Sequence, residues 1–226
     1  MNNCKEAIKG YEIDSKMQSY YKKRAPIYDR IYSYPERQEN FRYLEAYISE
    51  HLAGLDVLEI AAGTGYWTQF IAAKASSLLA TDASIETLNI IDTRELRQPV
   101  QIQVADAYSL NGICDKYNGA FAGLWISHVP KQRLNEFLRS LHQHLAPGAK
   151  VLFMDNTLAQ CIRLPLSHTD AEGNTYQERG LDDNTTHTVL KNFPTRSELL
   201  DATAGFGTNH KHIELEHFWL FQYEAN

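Results

Sequence analysis

The stretch Leu55–Phe70, LDVLEIAAGTGYWTQF, decides the fold. LDVLEI reads as a buried strand. It runs into a loop of small residues, Ala61-Ala62-Gly63-Thr64-Gly65, and a helical pattern, YWTQFIAAKA, begins at once. Such a loop lets the backbone press against a ligand, because glycine and alanine leave almost no side chain in the way.

The same alternation continues outward from this unit. SLLAT reads as a strand ending at Asp82, SIETLNIID as a helix, and VQIQVAD as a strand ending at Asp106. YNGAFAGLWI is a strand, KQRLNEFLRSLHQHL a helix with Leu134, Phe137, Leu138, Leu141 and Leu145 on one stripe, and PGAKVLFMDN a turn and a strand. Strands alternating with helices predict a mostly parallel sheet covered on both faces. Upstream, PERQENFRYLEAYISEHLAG has Pro35 at a first turn, Gly54 past the end, and Phe41, Leu44, Ile48 and Leu52 at helical spacing. SKMQSYYKKRAPIYDRI predicts a short helix broken near Pro26.

After Asn156 the rhythm breaks. Two strand-like runs flank Asp183-Asn184 and read as an inserted hairpin. Thr195 and Glu198 form a capping-box pattern ahead of ELLDATAGFG. HKHIELEHFWLFQYE reads as two antiparallel strands with no turn residue between them. The insertion is expected over the carboxyl edge of the sheet, where open α/β sheets bind ligands.

Bulk properties narrow the partners. The 226 residues carry a formal net charge of -6 and are 43% hydrophobic. That suits one globular domain and argues against nucleic acid or an anionic membrane, both of which require a basic surface. Cys4, Cys114 and Cys161 are far apart and odd in number, so neither a disulfide framework nor a zinc site is expected. No segment approaches the roughly 20 apolar residues of a membrane span, and a cytoplasmic protein is expected. His210 and His212 share a strand face without a third ligand, so no metal site is expected.

The loop itself separates two cofactor classes. A dinucleotide loop needs a third glycine to ease helix–strand packing. Here Gly63-Thr64-Gly65 is followed by Tyr66, Trp67 and Thr68.

Glu59-Ile60-Ala61-Ala62-Gly63-Thr64-Gly65 instead resembles the first motif of the class I S-adenosylmethionine (SAM)-dependent methyltransferases, with alanine at the first glycine. The resemblance stays in register through Asp82, Asp106 in VADAY, FAGLWISHVP and LHQHLAPGAKVLFMD. It implies a Rossmann-like α/β fold with an antiparallel last strand, an N-terminal helical lid over 1–54 and an inserted β-hairpin cap over 157–192, all one domain over 1–226. It implies SAM as cofactor and S-adenosylhomocysteine (SAH) as product. Asp82 would take the ribose hydroxyls, Asp106 would lie near the adenine amine, and Glu59 would serve the methionyl ammonium. Ala61, Gly63, Thr64, Gly65, Trp67, Ala83, Ala107 and Trp125 complete the implied cofactor set, with Tyr21 and Tyr28 from the lid.

The acceptor must be read outside these motifs. Eight tyrosines fall in the first 47 residues, from Tyr11 to Tyr47. Any one of them could equally pack the helix to the sheet; Tyr34 is a candidate for the acceptor. His128 follows the fourth strand, where a histidine can act as base or hold an anion. Arg179 and Lys191 on the hairpin suggest an anionic acceptor. A two-residue turn at Asp183-Asn184 would put them on opposite faces, and a three-residue turn on one face.

SYYKKRAPIYD, the glycine loop, SHVP, Arg179-Gly180-Leu181-Asp182-Asp183 and Lys191-Asn192-Phe193 together resemble the dehydrophos phosphonate O-methyltransferase branch. That resemblance implies methyl transfer to an oxygen of a small anionic molecule by a monomer or weak homodimer. In that reading Arg179 and Lys191 hold the acceptor and His128 orients it. Methylation of a phenol, quinone precursor or thiol, or SAM binding without transfer, are the alternatives.

Overall fold

The computed structural model describes residues 17–226; Cys4, Tyr11 and the residues before Met17 in the expected leading helix lie outside it. Helix α1 (residues 17–24) passes into a 3₁₀ segment, Ala25–Tyr32, with Pro26 in its first turn. A second 3₁₀ turn, Pro35–Arg37, leads into α2 (Gln38–His51). Phe41, Leu44, Ile48 and Leu52 are all buried, as their spacing required.

Five strands follow with α3 (Tyr66–Ala72), α4 (Ile85–Leu88) and α5 (Leu134–His142) among their connections. They are β1 (Asp56–Ile60), β2 (Ser77–Asp82), β3 (Gln101–Val104), β4 (Tyr117–Gly123) and β5 (Leu145–Asn156). A small sheet of β6 (His168–Thr169), β7 (Thr175–Gly180) and β8 (Thr186–Leu190) is inserted next. Helix α6 (Arg196–Thr203) begins at the expected capping box, with both reciprocal bonds of Thr195 and Glu198 formed. Strands β9 (Gly207–Glu214) and β10 (Phe218–Ala225) close the chain.

The main sheet has the order β3-β2-β1-β4-β5-β10-β9. β1 to β5 are parallel and β10 runs antiparallel between β5 and β9. Successive residues of a strand face opposite sides, and the two cores follow that rule. Leu58, Ala120, Val151, Phe153 and Phe221 pack under α5 and α6. Val57, Phe121, Leu152, Met154 and Leu220 pack under α2 and α3. The strand order reverses between β1 and β4, and the cleft of such a sheet opens at the carboxyl ends there.

The expected hairpin is the β7–β8 part of a three-stranded cap. Leu181 pairs with Thr185 around a three-residue turn, and Asn184 occupies the left-handed region at φ 64°. Asparagine tolerates that conformation better than most side chains. Arg179 pairs with His187, four residues from Lys191, so both cations lie on one face. The cap is tied to the loop after β4: Asn192 N–H donates to the Ser127 carbonyl and Lys131 N–H to Asn174 Oδ1.

Candidate active site

The glycine loop bends sharply. Ala61, Gly63 and Gly65 have φ of 52°, 57° and 78°. A Cβ on Gly63 would meet no protein atom nearer than the Ala61 carbonyl at 4.0 Å, so the residue faces open space. A Cβ on Gly65 would stand 2.6 Å from Ile91 Cγ1. Gly65, expected at the cofactor, is not part of the cleft wall; it turns the chain into α3 where no side chain fits.

The cleft at the carboxyl ends is lined by the other expected cofactor residues. Tyr21, Tyr28, Glu59, Ala61, Gly63 and Thr64 line it on the loop and lid side. Trp67, Asp82, Ala83, Asp106, Ala107 and Trp125 line the rest. Asp82 accepts the Gly63 N–H at 3.1 Å and the Ser84 N–H at 3.0 Å, which holds the carboxylate beside the loop. Glu59 is buried and accepts the Thr68 hydroxyl at 2.7 Å; burial pushes its carboxyl up to about 8. Trp125 Nε1 is buried without a partner.

These features fit SAM. Strand-end carboxylates can take its hydroxyls, the loop admits close backbone approach, and a buried acid can meet its ammonium. When bound, SAM supplies an electrophilic methyl on a sulfonium.

An outer clasp was not anticipated. Arg94 donates to the Thr64 carbonyl at 2.6 Å and reaches Asp29 at 2.6 Å, while the Thr64 hydroxyl donates to Asp29. It fastens the segment after α1 to the glycine loop. An isolated Asp29 and Arg94 carry no sequence signal for this contact.

A second cavity shares Tyr21, Tyr28, Leu124 and His128 with the cofactor cleft. His128 is buried, and its Nδ1 lies 2.6 Å from the Leu190 carbonyl. A carbonyl only accepts, so Nδ1 carries the proton and Nε2 accepts the Tyr21 O–H at 2.8 Å. Burial, then the charges of Lys191 and Arg179, hold the imidazole well below its usual pKa. His128 is therefore neutral, and its free nitrogen is occupied by Tyr21. Arg179 Nη1 donates to the same Tyr21 oxygen at 3.0 Å, and its other donors meet Gln177.

Lys191 lines this cavity differently from its expected role. Its three donors reach Ser127 Oγ at 2.7 Å, Asp155 Oδ1 at 2.8 Å and Asn156 Oδ1 at 3.0 Å. Burial lowers its pKa to about 8, with Asp155 pulling upward. Its charge is matched inside the protein. Tyr34 lines the cavity between two guanidiniums, Arg163 at 3.8 Å and Arg37 at 5.0 Å from its ring centre. Arg24, Arg37 and Arg163 were missed because charges on a helix or in a loop ordinarily face solvent.

Comparison with known proteins agrees with this arrangement. A family profile described as a methyltransferase domain matches residues 57–148. The DhpI–SAH complex superposes with a TM-score of 0.76 at 26% identity, covering 95% of this chain and 97% of that one. The chain carries a SAM-dependent methyltransferase domain. The DhpI–SAM–HEP complex also superposes on this methyltransferase at 0.76 and 26% identity, covering 93% and 96%. The N-methyltransferase NodS from Bradyrhizobium japonicum, with SAH bound, shares the fold at a TM-score of 0.66 and 14% identity, covering 93% and 98%. No curated protein matches the chain. No helix among the described residues is long and apolar enough to cross a membrane.

Proposed function

We propose that the enzyme methylates an oxygen of a small anionic molecule of the phosphonate or carboxylate class. One observation carries this reading. The cavity adjoining the cofactor cleft is lined by Arg24, Arg37, Arg163, Arg179, Lys191 and no carboxylate. Guanidinium forks match the paired oxygens of a carboxylate or phosphonate, which a phenol or thiol lacks. The likeness to DhpI complexes supports the same class.

The roles follow from the contacts. Arg179 reaches the wall shared with the cofactor cleft and supplies the cation nearest the reacting oxygen. Tyr21 links Arg179 to His128 and holds the acceptor in line with the methyl. An oxyanion needs no proton removed, which suits a histidine whose free nitrogen is already bonded. Alignment of acceptor, methyl and sulfur is then the main catalytic effect. Lys191 shapes the floor through Asp155 and Asn156.

Calorimetric titration of the SAH-loaded enzyme tests the reading. Methylphosphonate or malonate is expected to bind, and phenol, catechol and thiophenol are not. Binding of the neutral set alone would reject it in favour of a phenol or thiol acceptor.

A further inference from the structure

The five cations of the acceptor cavity differ in how they are matched. Lys191 meets Asp155, and Arg163 meets Glu36 at 3.2 Å. Arg24 bonds the Tyr20 hydroxyl, and Arg179 bonds Tyr21 and Gln177. Arg37 has no hydrogen-bond or ion-pair partner for its guanidinium among the described residues. It is only 7% exposed, and its Nε is buried and unpartnered. Its guanidinium lies 5.0 Å from the Tyr34 ring centre and 5.9 Å from that of Phe218.

Buried guanidiniums are normally paired, because ring faces replace only part of the lost hydration. Folding would expose Arg37 easily, since the neighbouring Pro35 and Glu36 are both exposed. The chain instead turns it inward, into the lining of a cavity also lined by Gln160, whose Oε1 is buried without a partner. Two residues that line one cavity and each hold a polar atom without a partner mark a place where a ligand supplies the missing contacts.

Arg37 is also separate from the cation that serves the methyl. Arg179 is bonded to Tyr21, and Tyr21 to His128, on the wall the two cavities share. Arg37 belongs to the acceptor cavity alone, and no hydrogen bond joins it to that group. Building on the anionic-acceptor reading, we propose that Arg37 binds a second acidic group of the acceptor, remote from the oxygen that is methylated. The acceptor class is a small molecule with two acidic groups. Methylation removes one negative charge from the group at Arg179 and leaves the group at Arg37 unchanged.

The test uses the full chain loaded with SAH and three probes: methylphosphonate, phosphonoacetate and phosphonopropionate. At least one two-acid probe is expected to bind about tenfold more tightly than methylphosphonate, as one further charge-assisted contact provides. Arg37→Met is expected to erase that advantage, weakening the two-acid probe about tenfold more than methylphosphonate while SAH affinity stays within about twofold, and Arg37→Lys to keep part of it. Equal binding of one-acid and two-acid probes by the wild type, or an advantage that survives Arg37→Met, would overturn the inference and leave the anionic acceptor standing. If neither methylphosphonate, malonate nor any two-acid probe binds, both readings fail. Should Arg37→Met not fold, phenylglyoxal labelling of the wild type decides. Protection of Arg37 by phosphonopropionate but not methylphosphonate supports the proposal, and equal labelling in all conditions rejects it.

Discussion

The Tyr21 hydroxyl stands 2.8 Å from His128 Nε2, so helix α1 is bonded to the loop that follows β4. The same oxygen accepts from Arg179 of the cap. Helix α1, the loop after β4 and the inserted sheet therefore meet on one phenol. Burial raises the Tyr21 pKa against the pull of Arg179 and Arg24, which keeps the O–H available as a donor.

Tyr21→Phe removes both bonds and leaves the Arg179 guanidinium short of a partner. A hydrogen bond to a charged group contributes about 1.5–3 kcal/mol. The variant is expected to lose roughly ten- to hundredfold in kcat/KM for the acceptor, with SAH affinity much less affected. Steady-state kinetics at saturating SAM beside SAH titration would show the split; a loss of SAH affinity with acceptor kcat/KM intact would mean that Tyr21 serves the cofactor alone.

Lys191 and Arg179, expected to behave alike, are expected to diverge. Lys191→Met strands Asp155, which is fully buried, and removing one member of a buried pair costs about 3–5 kcal/mol. Denaturant unfolding of Lys191→Met should show that loss, and the Lys191→Met/Asp155→Asn double variant a smaller one. Arg179→Ala removes no carboxylate's partner and is expected to affect acceptor kinetics more than stability. Unchanged stability in Lys191→Met would refute the assigned role.

Glu59 links cofactor binding to pH. Its carboxyl is lifted to about 8 by burial, so it is largely protonated near neutrality in the free enzyme. A bound ammonium favours the charged form and lowers that value. Between the two values, binding releases a proton, and SAH affinity is expected to rise with pH until about 8 and then level off. Calorimetry in buffers of different ionisation heat should detect the released proton in the wild type and none in Glu59→Gln. A wild type that releases no proton would remove Glu59 from the ammonium site.

The expected lid can be followed by proteolysis. Met17, Gln18 and Tyr21 line the cofactor cleft while Lys22 and Lys23 face outward. Bound SAH is expected to slow trypsin cleavage at Lys22 and Lys23, since lids of this kind are ordered by their ligand. Arg94→Ala opens the Asp29 clasp and should speed cleavage in the free enzyme. Identical rates with and without SAH would reject a lid.

The parallel sheet was legible because its strands are short apolar runs separated by helical stripes, both of which are local patterns. The β9–β10 turn was not, because Leu215-Glu216-His217 holds its shape through distant residues. His217 N–H donates to Asn40, and Thr157 bonds the Glu216 and His217 carbonyls. Strand β6 is two residues long and exists by pairing with β7. Most of the expected cofactor residues lay in register with strand ends, and all but Gly65 line the cleft. The cations of the second cavity come from the end of α1, the turn before α2 and the inserted segment, where a charge looks the same whether it faces water or a ligand. Arg37 sits one residue before a polar helix start, and only its burial separates it from a surface arginine.

The claim at the centre of this account is that the methyl goes to an oxygen of an acid held among these cations. Incubating the enzyme with SAM carrying an isotopically labelled methyl, against a mixture of small phosphonates, carboxylates, phenols and thiols, tests it in one step. Mass spectrometry is expected to find SAH formed and the label on an acid, as an ester, with formation reduced roughly ten- to hundredfold in Arg179→Ala. Label on a phenol or thiol, formed equally well by Arg179→Ala, would contradict it.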